Sequence, residues 1–166
     1  MKTVKRHFEL DAGHRLAHHD FKCQNLHGHR YIFDVEIRGE VHEKTGLLMD
    51  FSHIKAPVMD AFDHNTLINK EDPQLKTFFE LQEEQEYEIY VMDAEPTVEN
   101  IADESAKLIY NAMSDDEKGR IQRIQMEIYE TPNCKVKSTY EVTENLLISH
   151  EGEVLNHEDE VSLDEF

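Results

Sequence analysis

The sequence has little cysteine and no long apolar run. Its two cysteines, Cys23 and Cys134, are too few for a disulfide framework, which predicts reduced thiols. No apolar stretch approaches the length that spans a bilayer, and the first ten residues, MKTVKRHFEL, lack the apolar stretch of a signal peptide. Together these absences predict a cytoplasmic protein with no membrane partner.

Basic residues are also scarce, since 17 Lys and Arg stand against 36 Asp and Glu, for a formal net charge of -19. This balance argues against nucleic acid or an anionic membrane as the main partner, because both are polyanions. It leaves room for a small anionic substrate that a local pocket attracts. With 166 residues and no internal repeats, the chain is expected to form a single domain over residues 1–149.

Histidine, by contrast, is abundant: six of the eleven histidines precede residue 30. Residues 6–14 alternate apolar and polar side chains, as a half-buried strand does, and the inward positions end on His14. A second alternating strand covers residues 27–38, and its inward parity includes His27 and His29. If the two strands form an antiparallel hairpin, the end of the first lies beside the start of the second. The pattern therefore predicts that three imidazoles meet at one end of the sheet.

Converging neutral imidazoles leave donors and acceptors that need partners, and a divalent metal supplies one. Three histidines with an open fourth position are typical of a catalytic zinc, although iron and nickel also accept imidazole. Cys23 precedes His27 by four residues in a polar linker and follows Lys22, a cation that favours the thiolate. Cys23 could be a fourth ligand that closes the site, or a base or nucleophile that faces substrate.

The rest of the chain predicts an α+β fold. Ser52 is expected to cap a first helix and Thr97 a second, and strands are predicted at 121–131 and around 135–142. The acidic segment 70–88 is expected to be a surface insertion with one or two helical turns, followed by a short strand ending at Pro96. The acidic tail 150–166 is expected to be solvated and disordered. Two helices would then lie on one face of an antiparallel sheet.

Three further polar side chains stand out. Asp63 and His64 are adjacent where the first helix should end, a pair that is common in surface turns. Glu130 has the inward parity of its strand and would need a cationic or N–H-rich partner, which an arginine or a substrate heterocycle could provide.

In combination, these segments resemble the family of 6-pyruvoyltetrahydropterin and 6-carboxytetrahydropterin synthases. The matching segments occur in the family's order over roughly residues 6 to 131: FELDAGHRL, CQNLHGH, GLLMDFSHIK, FDHNTLIN, PTVENIA and IYET. The spacing of three residues between Cys23 and His27 is most similar to that of the queuosine-pathway branch, which makes 6-carboxytetrahydropterin.

The resemblance implies a role for each candidate residue. His14, His27 and His29 would bind zinc, which holds the hydroxylated side chain of the substrate. Cys23 would be the thiolate that abstracts a proton, and Asp63 and His64 an acid–base pair in which the carboxylate orients the imidazole. Glu130, assisted by backbone near Thr97, would grip the pterin ring. The resemblance assigns no residue to the triphosphate, and Arg15 and Lys22 are named for it only because they lie near the motif.

The resemblance further implies a four-stranded antiparallel sheet with two helices, assembled into barrels as two stacked trimers with active sites between subunits. The substrate would be 7,8-dihydroneopterin triphosphate, and the products 6-carboxy-5,6,7,8-tetrahydropterin, acetaldehyde and triphosphate. One rival is the pyruvoyl-forming enzyme on the same scaffold. Another is a non-catalytic zinc-binding protein, which would leave Asp63, His64 and Glu130 without a purpose.

Overall fold

The computed structural model describes residues 1–85, 88–143 and 146–155. The strands are β1 (Lys2–His14), β2 (His27–Gly39), β3 (Thr66–Asn69), β4 (Ile89–Met92), β5 (Ile121–Thr131), β6 (Cys134–Thr143) and β7 (Leu146–Ser149). The helices are α1 (Ser52–Phe62), α2 (Leu75–Gln85), α3 (Val98–Ala112) and α4 (Asp115–Lys118), and a 3₁₀ turn covers Lys22–Gln24. No helix in these ranges is long and apolar enough to cross a bilayer.

The strands form one sheet in the order β4-β3-β1-β2-β5-β6-β7. The predicted four-stranded antiparallel unit is present as β1-β2-β5-β6, but the predicted strand number is wrong, since the described residues contribute seven. β3 and β4 add parallel strands beside β1, which makes the sheet mixed, and β7 extends the other edge. All four residues of β3 are buried, so this short strand shows none of the alternation that reveals a half-buried strand.

The core lies between the sheet and the helices α1 and α3. Alternate residues of β2 and β5 are fully buried, and α1 and α3 pack against each other and against the strands. Thr97 caps α3 as predicted, because its side chain accepts a hydrogen bond from the backbone N–H of Asn100. The predicted cap of α1 is wrong: the Oδ1 of Asp50 accepts hydrogen bonds from both the backbone N–H and the hydroxyl of Ser52.

The acidic segment 70–88 is more ordered than predicted in its described part. It contains the three-turn helix α2, whose Leu75 and Phe78 pack with Ile68 in a second, smaller core. These few apolar side chains recur at helical spacing on one face, while the acidic residues cover the other. The segment thus docks on β3.

Arg15 holds this segment in place and is not a free cation. Its Nε lies 3.1 Å from the Oδ2 of Asp72, which is fully buried, and its guanidinium also donates to the side chain of Gln74. Removing one partner of a buried ion pair costs about 3–5 kcal/mol, because the other charge stays buried without compensation. The guanidinium of Arg15 is therefore engaged within the chain, whereas Lys22 is exposed, and a contact of either residue with the triphosphate stays a prediction.

The C-terminal boundary of the fold lies beyond residue 149. Val154 forms a bridge with Ile148, the N–H of Leu155 donates to the carbonyl of Leu147 at 2.8 Å, and Leu155 is buried in the main core. Val154 and Leu155 therefore differ from the solvated tail expected over 150–166, whereas residues 150–153 are exposed. The rest of that tail, residues 156–166, lies outside the described residues.

Candidate active site

Three histidines meet where β1 ends and β2 begins. His14 pairs directly with His27 in the β1–β2 register, and His29 follows on the same face of β2. One ring nitrogen from each lies within 4.8 Å of the others. The hairpin inferred from alternation is confirmed, and its pleat aims the three imidazoles to one side.

Backbone carbonyls fix the tautomers of two of these rings. The Nδ1 of His14 lies 2.7 Å from the carbonyl oxygen of Pro96, and the Nδ1 of His27 lies 2.8 Å from that of Asn25. A carbonyl oxygen only accepts, so both Nδ1 atoms carry the proton and both Nε2 atoms present a lone pair. These two Nε2 atoms lie 3.1 Å apart.

Two lone pairs at this distance repel each other unless a proton or a metal ion stands between them. In protein metal sites, a histidine usually binds the metal through one ring nitrogen and donates the N–H of the other to a carbonyl or a carboxylate. The donor set therefore fits a divalent cation such as Zn²⁺, held by His14, His27 and His29.

Burial keeps His14 in its metal-binding form. Burial is the largest effect on the pKa of His14 and lowers it, the hydrogen bond to the Pro96 carbonyl raises it, and the neighbouring His27 and His29 lower it. Together they lower the pKa to about 4. The ring is consequently neutral near pH 7. The hydroxyl of Tyr31 lies 3.3 Å from the Nδ1 of His14. Burial, and then the charge of Glu130, raise the pKa of Tyr31 far above neutrality, so this hydroxyl stays protonated.

Glu130 lies beside this cluster, as its inward parity predicts. Its Oε1 is 3.8 Å from the Nε2 of His14 and 3.9 Å from that of His29, and its side chain is 25% exposed. A partly exposed carboxylate here can reach both the cluster and a ligand in front of it. The assignment of Glu130 to pterin binding stays a prediction.

Cys23 lies in the 3₁₀ turn before β2 and is half-buried. Among the described residues, the group of potential ligands around the histidines does not include its thiol. The carbonyl of Cys23 accepts a hydrogen bond of 2.8 Å from the N–H of Leu16, which ties the turn back to the end of β1. The thiol thus lies outside the three-histidine group, and the role of Cys23 as a base or as a fourth ligand stays a prediction.

Asp63 and His64 occupy the turn between α1 and β3. The Oδ1 of Asp63 lies 3.2 Å from the Nδ1 of His64 and also accepts from the backbone N–H of Asp11 at 3.1 Å. His64 is the one non-glycine residue with a positive φ, 62°, in the described part of the chain. A left-handed histidine is uncommon, and such backbone strain is concentrated at functional sites.

The ring of His64 is 79% exposed, and its residue lines an open cleft of about 500 Å³ together with His27 and His29. Within the described ranges, no hydrogen bond or ion pair joins Asp63 and His64 to Cys23. The contact between Asp63 and His64 is thus formed within one chain, but neither side chain is hydrogen-bonded to the thiol of Cys23 in the described residues.

Two residues that support the site were missed by sequence reasoning. Tyr31 lies on the inward parity of β2 without any feature that distinguishes it from a core residue, and the carbonyl of Pro96 carries no signal in the sequence. Pro96 immediately precedes the helix cap Thr97, so the start of α3 lies directly against the histidine cluster. This places Thr97 near the site, while its role in substrate binding stays a prediction.

Comparison with known sequences identifies relatives over most of the chain. A sequence model of the 6-pyruvoyl tetrahydropterin synthase family matches residues 3–141. A Rickettsia conorii protein named 6-carboxy-5,6,7,8-tetrahydropterin synthase is 35% identical over 141 residues, which cover 82% of this chain and 99% of the relative. A Haemophilus influenzae protein of the same name is 31% identical over 142 residues, covering 80% and 94% of the two chains.

Solved structures show the same fold. The Plasmodium falciparum 6-pyruvoyl tetrahydropterin synthase superposes with a TM-score of 0.59 at 16% identity, covering 84% of this chain and 99% of the other. The Caenorhabditis elegans enzyme of that name gives a TM-score of 0.55 at 26% identity, covering 86% and 96%. With the match over residues 3–141, these likenesses show that the chain belongs to the 6-pyruvoyl tetrahydropterin synthase family.

Proposed function

We propose that the chain is a zinc-dependent 6-carboxy-5,6,7,8-tetrahydropterin synthase. It converts 7,8-dihydroneopterin triphosphate and one water molecule to 6-carboxy-5,6,7,8-tetrahydropterin, acetaldehyde and triphosphate. The observation that carries the proposal is the likeness to relatives of that name over nearly their full length. The converging imidazoles, with lone pairs aimed at one point, support it independently. The cytoplasmic location and the place in queuosine biosynthesis stay predictions from the sequence.

In this proposal the ion held by His14, His27 and His29 supplies Lewis acidity toward the hydroxyl and carbonyl oxygens of the substrate side chain. Cys23 takes up a proton as the thiolate, from the 3₁₀ turn that precedes β2. Asp63 orients His64 through their 3.2 Å contact, so that the imidazole can exchange a proton with substrate. Glu130 and backbone near Thr97 receive the N–H groups of the pterin.

The nearest rival is the pyruvoyl-forming reaction, after which the family model and the superposed structures are named. The three residues between Cys23 and His27 in CQNLHGH favour the 6-carboxytetrahydropterin branch, because the spacing between cysteine and histidine in that branch is similar. We therefore expect side-chain cleavage with release of acetaldehyde. Incubation with 7,8-dihydroneopterin triphosphate, trapping of volatile aldehyde and mass spectrometry of the pterin test this directly. A pterin that keeps all three side-chain carbons, with triphosphate lost and no aldehyde, would assign the chain to the rival branch.

The proposal includes assembly into a hexamer of two trimers, with active sites between subunits. β1 pairs with β3 only at Gly13 and His14, so the rest of that edge has no strand beside it within the described chain. An unpaired edge is prone to pairing, and barrel closure removes it. In such an assembly, the exposed His64 of one subunit would lie near the Cys23 thiol of a neighbouring subunit. We expect a hexamer mass by light scattering at micromolar concentration, and a clean monomer would contradict this part of the proposal.

A further inference from the structure

Glu95 lies between β4 and α3, immediately before the residue whose carbonyl supports His14. Its backbone carbonyl accepts hydrogen bonds from the N–H of Thr97 and from the Nδ2 of Asn100, each at 2.7 Å. These two bonds fix Glu95 to the start of α3. The position of its side chain is therefore coupled to that of Pro96 and, through Pro96, to His14.

The carboxylate of Glu95 reaches across to the loop that follows β1. Its Oε2 accepts from the backbone N–H of Ala17 at 2.9 Å, and its Oε1 contacts the Nδ1 of His18. The Nδ2 of Asn69, at the end of β3, donates to the same Oε1 at 3.2 Å. The side chain is 21% exposed, so these bonds are largely shielded from water.

This loop connects the first histidine ligand to Cys23. The N–H of Leu16, adjacent to Ala17, donates to the carbonyl of Cys23 at 2.8 Å. One path of hydrogen bonds thus runs from Glu95 through Ala17 and Leu16 to the turn that carries the thiol. A hydrogen bond to a charged carboxylate is stronger than one between neutral groups, so the carboxylate is a firm anchor.

We propose that Glu95 is a positioning residue that holds the Cys23 loop against the segment supporting His14. The proposal rests on the proposed function for the catalytic role of Cys23, although the holding contact itself is independent of that role. Rates of proton transfer change strongly when the reacting groups move by about 1 Å. If the loop lost its bond to Glu95, the Cys23 thiolate would move away from the proton that it abstracts. Among the described residues, Glu95 makes no hydrogen bond or ion pair with the rings of the metal-site histidines His14, His27 and His29, and it is not assigned a contact with substrate.

The test compares Glu95→Ala with Glu95→Gln and with the matched control Asp93→Asn. Asp93 is a carboxylate two residues away that pairs with Lys70 at 2.9 Å and is 59% exposed. All variants carry Cys134→Ser, because Cys134 is exposed and would react with the same probe. The readouts are the alkylation rate of Cys23 by iodoacetamide, metal content, melting temperature, kcat and KM.

We expect Glu95→Ala to raise the Cys23 alkylation rate by about fivefold or more and to lower kcat by about tenfold, with less change in KM and unchanged metal content. Glu95→Gln keeps an acceptor for the N–H of Ala17 and should restore both rates to within about twofold. Asp93→Asn should match the parent protein in every readout.

An unchanged alkylation rate in Glu95→Ala would overturn the inference, as would an equal change in Asp93→Asn. Loss of metal together with a lower melting temperature would also overturn it, because Glu95 would then be supporting the fold. If the parent protein turns over no pterin triphosphate but Glu95→Ala still releases the thiol, the proposed function fails and the holding contact stands.

Discussion

Replacing Cys23 with alanine is expected to lower turnover of 7,8-dihydroneopterin triphosphate by about 10²- to 10⁴-fold, the usual contribution of a positioned acid or base. One metal ion per chain should remain, because the described ligand group consists of three histidines and leaves the thiol out. Metal content and rate, measured on the same preparation, separate the two roles of Cys23 that the sequence leaves open.

Cys134→Ala is the matched control, since it removes an exposed thiol at the start of β6. It should keep both metal and rate. Loss of metal in parallel with activity in Cys23→Ala would make the thiol a fourth ligand, and would favour the non-catalytic reading of the site.

Replacing His27 with alanine is expected to empty the metal site. Changes in the groups that merely support a ligand cost about 10- to 100-fold in metal affinity, so loss of a direct ligand should exceed about 100-fold. The lone pair of His27 lies 3.1 Å from that of His14, and its removal leaves two nitrogens where a tetrahedral ion needs three from the protein. Elemental analysis of purified protein and competition with a chelator measure the effect.

His7→Ala is the control for this variant. His7 lies on β1 with His14, but its side chain is 59% exposed and contacts Asp34. Metal content should be unchanged. Stoichiometric metal in His27→Ala, or none in the parent protein, would contradict the site as described.

The convergence of the histidines was predictable because strand alternation is a strict geometric rule. Once β1 and β2 are paired antiparallel, a period of two assigns His14, His27 and His29 to one face, and the structure places them there. The inward position of Glu130 follows from the same rule. The cap of α3 was predictable because a threonine at this position has a local hydrogen-bonding preference.

What was missed depends on contacts that are distant along the chain. Arg15 lies next to His14 in the sequence, but its partner Asp72 is 57 positions later, and the sequence pattern does not show that the two side chains meet. The strand β3 is too short and too uniformly buried to show a period. The carbonyl of Pro96 supports His14 across 82 residues, and a backbone group leaves no mark in a sequence pattern.

X-ray absorption spectroscopy at the edge of the bound metal tests most directly whether three histidines hold the ion without the thiol. We expect three imidazole nitrogens at about 2.0 Å with an oxygen ligand in the remaining position, and no sulfur at about 2.3 Å. Such a shell would leave Cys23 free to act as a base beside an open metal position. A sulfur ligand in the shell, or fewer than three imidazoles, would contradict it.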